Sequence, residues 1–442
     1  MEILIKALQL ILSLSILVVL HELGHFIPAR IFKTRVEKFY LFFDPWFSIF
    51  KKKVGNTEYG IGWLPLGGYV KISGMIDESM DKEQMKLPAK DWEFRSKPAW
   101  QRLIIMLGGV TVNLILGVFI YSMILFFSGD SFLPNDSLEN GVVCSDFAKT
   151  VGEYEKFKNG DKIILVDGEK ITKFRDVNKS LILRDEPFSV MVERFEGGFD
   201  EIKIQPNFIK HWKDGGGEAL FTPRVKTKVY RVLENSPAMS AGIEKGDYIV
   251  SINGKRSLFF DEFKAEVKNH LGQIVTMGII RKDELKTLSV EISNEGKIGF
   301  ENDMTLNIEK RNYSFLSSIP AGYNLAMEKL SEYISQFSLM FNTQNDLVSE
   351  MGGFGAIGNM FPPVWDWKVF WNLTAFLSLI LAFMNLLPIP ALDGGHVMFL
   401  VYEIIFRKPA PQKVLEYAQM IGVILLLSLL IFANGNDIIR MF

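Results

Sequence analysis

Three side chains able to hold or activate something lie together in "LVVLHELGHFIPARIF" (Leu17–Phe32): His21, Glu22 and His25. On a helix, residues four apart stand one above the other on one face, so His21 and His25 can share a metal ion. Glu22 adjoins the first imidazole and can reach water at that ion without ligating it. This spacing points to a zinc site with Glu22 as general base, since a catalytic zinc takes three protein ligands and keeps a fourth position for water. The competing reading is a polar cluster that snorkels to the headgroups beside Arg30. The third ligand must come from elsewhere. "NLLPIPALDGGHVMF" (Asn385–Phe399) offers Asp393 and His396. Pro388 and Pro390 break the helix there, and Gly394-Gly395 lets the backbone turn closely. Asp393 also suits the N-cap of the helix that follows. From the chemistry, Asp393 and His396 both stay open as third ligand, with Asp393 favoured because a carboxylate in lipid is expensive without a cation.

The elements around these residues are apolar. The chain has 442 residues, 48% of them hydrophobic, with 36 Phe and 8 Trp. Four stretches approach the roughly 20 residues that a bilayer demands: Ile3–Phe26, Leu103–Phe127, Val369–Leu387 and Val414–Phe432. The start, "MEILIK", carries an acid and no small-residue cleavage site follows, which excludes a signal peptide. An ionisable residue inside a span costs about 2.5–3.5 kcal/mol on insertion scales, so a cluster of three argues for a use. Arg30, Lys33, Arg35, Lys38 and Lys51–Lys53 follow the first span, and Arg407, Lys408 and Lys413 precede the fourth. Both loops are therefore expected in the cytoplasm, with both termini and Ser128–Asp366 outside. "AGYNLAMEKLSEYISQFSLMF" (Ala321–Phe341) reads as an amphipathic surface helix, since it carries Glu328, Lys329 and Glu332. A net charge of −2 excludes an electrostatic nucleic-acid partner, and the single Cys144 excludes a disulfide framework. His211 and His270 read as surface residues and Cys144 as a small core residue.

The external region repeats. "FKNGDKIILVDGEKI" (Phe157–Ile171) and "IEKGDYIVSINGKRS" (Ile243–Ser257) align at a constant offset, pairing Gly160-Asp161 with Gly246-Asp247 and Asp167-Gly168 with Asn253-Gly254. Each copy reads as a turn, a short buried strand and a hairpin turn. "NSPAMSAG" (Asn235–Gly242) precedes the second copy and resembles the PDZ pattern of bacterial proteases; the first copy has "CSDFAKTVG" (Cys144–Gly152) there. The break between copies is expected at the glycine-rich "HWKDGGGEAL" (His211–Leu220).

Together these features resemble the site-2 protease family of intramembrane zinc metalloproteases, in its bacterial form with tandem PDZ domains. The resemblance covers nearly the whole chain and rests on His-Glu-x-x-His in the first span with Asn-x-x-Pro-x-Pro-x-Leu-Asp-Gly-Gly in the third. It implies His21, His25 and Asp393 as zinc ligands, which decides against His396. It also implies Glu22 as the activating glutamate and Asn385 as a contact to the substrate backbone. "GIGWLPLGGYVKI" (Gly60–Ile72) is similar to the family's membrane-associated β element, with Gly60, Gly62, Leu64, Gly67 and Gly68 in an edge that could hold an unwound substrate. "GGVTVN" (Gly108–Asn113) resembles a Gly-Pro-x-x-Asn motif with Val110 in place of proline. Ala321–Phe341 falls where the family has a clamp-like helix.

The expected fold is thus a polytopic α-helical membrane protein with four transmembrane helices, a membrane-associated β element and two external α+β PDZ-like domains. The expected segments are 1–32 (first span), 33–99 (cytoplasmic, with the β element), 100–128 (second span), 129–218 and 219–312 (PDZ-like), 313–366 (clamp-like), 367–407 (third span with Leu-Asp-Gly-Gly) and 408–442 (fourth span). The expected activity is zinc-dependent hydrolysis within single-span membrane proteins, such as trimmed anti-sigma factors and remnant signal peptides, at the bacterial inner membrane. The PDZ pair would filter substrates by size and could take peptide ligands. The alternatives are a catalytically inactive PDZ-bearing membrane receptor, which would have no use for Glu22, and a metal transporter, which would spread its ionisable groups along a path.

Overall fold

The fold is described from a computed structural model. It describes residues 1–75, 87–184, 187–206, 208–340, 348 and 351–440. The chain divides into two compact units, one of Met1–Asp130 with Asn312–Phe442 and one of Ser131–Arg311.

The first unit begins with helix α1 (Glu2–Ile31), apolar all round, with His21, Glu22 and His25 in its C-terminal third. A β-hairpin follows, β1 (Val36–Val54) and β2 (Thr57–Ile72). Both strands are too long to stay flat, and β1 turns at Phe42 and Trp46, which take positive φ. Lys38–Leu41 consequently pairs with Gly68–Lys71 on one side and with Glu58–Ile61 on the other, while Ser48–Val54 pairs with Thr57–Gly62. Residues 64–72 form one outer edge of this curled sheet. Trp46, Phe47, Ile49 and Phe50 are exposed at its tip. Helix α2 (Ala99–Ser128) then starts after Pro98 and ends at Gly129, which takes the positive φ that stops it.

The second unit holds two small domains of the same design. In the first, a four-stranded sheet of β5 (Lys162–Val166), β6 (Glu169–Lys170), β7 (Phe188–Glu193) and β8 (Phe199–Ile204) runs in the order β6-β5-β7-β8. Helix α3 (Arg175–Ile182) packs Val177 and Leu181 into its core. Strand β4 (Val142–Cys144) pairs with β9 (Phe221–Pro223), which follows the short helix α4 (Phe208–Asp214). The second domain repeats this with β11 (Tyr248–Ile252), β12 (Lys255–Arg256), β13 (Ile274–Arg281) and β14 (Glu284–Glu291) in the order β12-β11-β13-β14. It adds helices α5 (Pro237–Ser240) and α6 (Phe260–Lys268) and the pair β10 (Val229–Val232) with β15 (Phe300–Asn302). Strands β3 (Asp130–Phe132) and β16 (Glu309–Arg311), at the ends of this stretch, form a two-stranded pair.

The Gly-Asp signature of the repeat has a physical cause. Asp161 accepts from the Lys158 N–H and pairs with Arg194, and Asp247 accepts from the Glu244 N–H and pairs with Arg281. Both aspartates are buried, and removing one partner of such a pair costs about 3–5 kcal/mol. The expected boundary at 218 needs correction. Leu220 and Phe221 fill the first core and β9 pairs with β4, so the glycine-rich loop lies inside the first domain, which runs on to Pro223. Arg224 follows at the junction, where it bonds Asp261 and Glu262 and lies 3.8 Å from the Phe259 ring centroid.

The first unit then resumes with α7 (Phe315–Met340), α8 (Phe354–Met360), α9 (Trp367–Leu386), α10 (Asp393–Phe406) and α11 (Gln412–Ile439). Helices α1, α2, α9 and α11 are each long and apolar enough to cross a membrane, at the four places expected. Buried hydroxyls tie three of them: Thr374 donates to Ser13 at 2.9 Å and Ser378 to the Asn113 carbonyl at 2.7 Å. The expected amphipathic helix starts earlier, at Phe315, and packs on α2, where a Cβ on Gly322 would lie 2.2 Å from Ser122 Oγ. Its expected end, Phe341, lies outside the described residues.

Candidate metal centre

His21 and His25 lie on one face of α1, and that face is set against α2 by glycine. A Cβ on Gly24 would stand 2.4 Å from the Gly108 carbonyl oxygen, so the backbones touch. Gly109 leaves room for the imidazoles themselves, since a Cβ there would lie 2.4 Å from His25 Nε2 and 2.6 Å from His21 Cε1. His25 Nδ1–H donates to the Ile105 carbonyl at 2.8 Å, which turns its Nε2 lone pair inward. The Asn113 carboxamide lies 3.2 Å from His21 Nδ1 through Nδ2, while its Oδ1 is buried without a partner. Turning that amide over lets His21 Nδ1–H donate to Oδ1 and leaves the Nε2 lone pair of His21 free to ligate. Each imidazole then presents Nε2 to the same point.

Asp393 reaches that point from the other side of the break. Residues 387–392 fold back over α10, where a Cβ on Gly394 would lie 2.1 Å from the Leu387 carbonyl oxygen and one on Gly395 2.6 Å from that of Ile389. Ala391 takes a positive φ of 78°, a strained value that the fold holds in place. The helix N-cap is Leu392, so Asp393 stands inside the first turn with its carboxylate turned to the histidines. Oδ2 lies 3.3 Å from His21 Nε2 and 3.3 Å from His25 Nε2, and the two Nε2 atoms are 3.2 Å apart. A tetrahedral ion with bonds of about 2.0–2.1 Å holds its ligand atoms about 3.3–3.4 Å apart. The observed triangle has that size. Oδ2 is also buried without a hydrogen bond, an arrangement that a cation relieves. The three side chains fit a metal.

The chain matches peptidase family M50 over residues 9–429. The chain belongs to peptidase family M50. It is 28% identical over 458 residues to the "Regulator of sigma E protease" of Haemophilus influenzae, covering 98% of each chain. The "Putative zinc metalloprotease" of Vibrio cholerae is 28% identical over 473 residues with both chains fully covered. The "Regulator of sigma-E protease RseP" of Escherichia coli K12 is 27% identical over 463 residues, again with 98% of each covered. As an M50 peptidase the chain is a metalloprotease, and its four apolar helices make it a membrane protein.

The other expected residues of this M50 chain are placed as follows. Glu22 is half-buried on α1 beside β2: a Cβ on Gly68 would meet Val18 at 2.6 Å and Glu22 Cγ at 3.6 Å. Gly67, Gly68 and Leu64 lie on the outer edge of the curled sheet. Gly60 and Gly62 do not. Gly60 pairs with Tyr40 on one side and Lys51 on the other, so its backbone groups are consumed inside the sheet, and Gly62 is buried and paired with Ser48. Their lack of a side chain serves packing, since a Cβ on Gly60 would strike the Tyr40 ring at 2.3 Å. Asn385 stands in the last turn of α9, half-buried, before the break. His396 lies outside the cluster of His21, His25 and Asp393 and lines a cavity with Arg102, Pro390, Glu403 and Gln419. His270 is bonded to Glu266, and Cys144 is buried, its thiol pushed up to about 12 by burial. Sequence reasoning did not foresee Ile105, because any residue supplies a carbonyl. It saw Asn113 only through the resemblance of Gly108–Asn113 to a Gly-Pro-x-x-Asn motif.

Proposed function

We propose that His21, His25 and Asp393 hold a catalytic zinc and that Glu22 is the general base of an endopeptidase acting within membrane-spanning segments. The observation that carries this is the triangle of donor atoms, 3.2–3.3 Å on each side, closed by a carboxylate oxygen with no other partner. Zinc, when bound, supplies a Lewis acid for the scissile carbonyl and lowers the pKa of water to about 7. Glu22 removes the proton of the attacking water and delivers it to the leaving amine. Asn113 and the Ile105 carbonyl hold the two imidazoles in the tautomer that ligates.

A spanning helix hides its carbonyls in its own hydrogen bonds, so it must unwind before it can be cut. The outer edge at residues 64–70 runs beside Glu22 and offers backbone groups to an unwound strand. Asn385 adds side-chain hydrogen bonds to that strand. The exposed Trp46, Phe47 and Phe50, followed by Lys51–Lys53, suit the lipid interface. We read the two repeated domains as PDZ modules outside the bacterial inner membrane, with both termini on the same side, and as a filter that excludes substrates with large folded ectodomains. Two of the relatives are named for regulating sigma E. Trimmed anti-sigma factors and remnant signal peptides are the substrates this likeness suggests.

The test is cleavage of a single-span protein by the purified chain in liposomes, with the cut mapped by mass spectrometry. A cut within the apolar segment, lost on chelation and restored by zinc, is expected. A cut confined to the ectodomain, or one indifferent to chelation, contradicts the proposal.

A further inference from the structure

Arg30, Lys33, Thr34 and Arg35, at and just beyond the end of α1, line an open cleft of about 430 Å³. Asn56 in the hairpin turn and Trp92 complete it. The lining holds three cations and no carboxylate. Among the described residues, none of the three is paired with an acid, and Glu93, next to Trp92, is taken by Arg95 at 2.7 Å. The Arg35 N–H donates to the Trp92 carbonyl at 2.9 Å, which ties the cleft to the segment that leads into α2. Basic residues that only set the orientation of a span need no such enclosure.

Two features point to an anion as the occupant. Thr34 is only 2% exposed, and its Oγ1, like Arg35 Nε, is buried without a hydrogen-bond partner. Such burial is costly, and a hydroxyl beside a guanidinium is a donor pair that an anionic oxygen satisfies. The second feature is the backbone of Lys33, which takes a positive φ of 57°. It occupies the C′ position of a Schellman turn, in which the Thr34 N–H donates to the Ala29 carbonyl at 2.8 Å and the Lys33 N–H to that of Arg30 at 3.1 Å. Glycine adopts this conformation without strain, so a lysine held there points to a use for its ammonium. The same turn occupies the carbonyls of Ala29 and Arg30, which would otherwise face an anion with the negative end of the helix.

We propose that this cleft binds the phosphate headgroup of an anionic phospholipid in the leaflet where α1 ends. A free phosphate would need only the cations, whereas the surroundings also fit an acyl chain. Ile27 and Ile31 are exposed on the face of α1 that carries Arg30, and form an apolar strip one turn into the membrane from the cleft. Trp92 and Trp100 are exposed as well, as aromatic rings at headgroup level are, and Trp100 packs on Phe32 with ring centroids 5.4 Å apart. A cationic cleft continuous with an apolar strip matches an amphiphile with an anionic head. The lipid fixes the depth of α1, and so of His21 and His25, in the bilayer. Its binding requires neither zinc nor cleavage, so it stands or falls apart from the proposed chemistry.

The test is native mass spectrometry of the full chain in detergent, freed of lipid and titrated with phosphatidylglycerol, phosphatidylcholine or inorganic phosphate, with thermal unfolding beside it. A single phosphatidylglycerol should bind about tenfold or more tightly than phosphatidylcholine and raise Tm, and inorganic phosphate should leave Tm unchanged. Lys33→Gly should weaken phosphatidylglycerol by about fivefold, the effect of one cation near a headgroup. Its Tm without lipid should equal or exceed that of the wild type, because glycine relieves the turn. Thr34→Val should likewise weaken the lipid without lowering the lipid-free Tm. Lys6→Ala, at the other end of α1, should keep wild-type binding. Equal affinity for the two lipids, or undiminished phosphatidylglycerol binding in Lys33→Gly, overturns the proposal. The same Tm rise with inorganic phosphate would make the cleft a site for a free anion and would overturn the lipid assignment.

Discussion

At the scale of residues, the site was legible wherever chemistry needs a particular side chain. His21, Glu22, His25 and Asp393 could be named because imidazoles and carboxylates are costly in an apolar segment. The groups that aim them were harder to see. Ile105 acts through its carbonyl, and Asn113 comes to His21 only through the packing of α2 on α1. Asn113→Leu should reduce zinc affinity by about 10–100-fold, as loss of an outer hydrogen bond to a metal-bound histidine generally does. Competition with a calibrated chelator measures this, and wild-type affinity would remove Asn113 from the site. Chemistry left Asp393 and His396 both open, and the fold separates them. Asp393→Asn should lose cleavage and most zinc, whereas His396→Ala should keep substantial amounts of both. The reverse pattern in elemental analysis would replace Asp393 as the third ligand.

At the scale of elements, hydropathy located α1, α2, α9 and α11, because span length is a strong signal. What hydropathy does not carry is how two helices meet. Gly24, Gly108 and Gly109 allow α1 and α2 to touch along the histidine face, and composition alone cannot tell this from ordinary flexibility. Alanine is the better helix former by about 1 kcal/mol, so Gly109→Ala should leave helix content intact. Its methyl would nevertheless clash with the His25 and His21 imidazoles, and zinc content and cleavage should both fall to background. Circular dichroism with elemental analysis checks this, and a full complement of zinc would refute the close approach. Of the hairpin, only Gly60–Ile72 was expected as β structure, through the family resemblance, and neither β1 nor the curl was foreseen. The bend at Phe42 and Trp46 buries the Gly60 and Gly62 backbone within the sheet and leaves residues 64–72 as the edge near Glu22.

At the scale of the whole molecule, the repeat was legible because the same buried aspartate–arginine pair recurs in each domain. The boundary between copies was misplaced because a glycine run resembles a linker. Leu220 and Phe221 lie beyond that run and return to the first core. If the two domains filter substrates, deleting Gly141–Glu301 should permit cleavage of proteins that keep a large folded ectodomain. Paired substrates that differ only in ectodomain size provide the comparison. Unchanged discrimination in the deletion would end the filter reading.

The proposed site divides its labour within about one turn of α1, between histidines that would hold zinc and a glutamate that would move a proton. The measurement that tests it most directly is zinc content beside cleavage in folded Glu22→Gln. The prediction is about one zinc per chain with no detectable cleavage, since the glutamate does not ligate. Loss of zinc from that variant, or cleavage at the wild-type rate, would contradict the account.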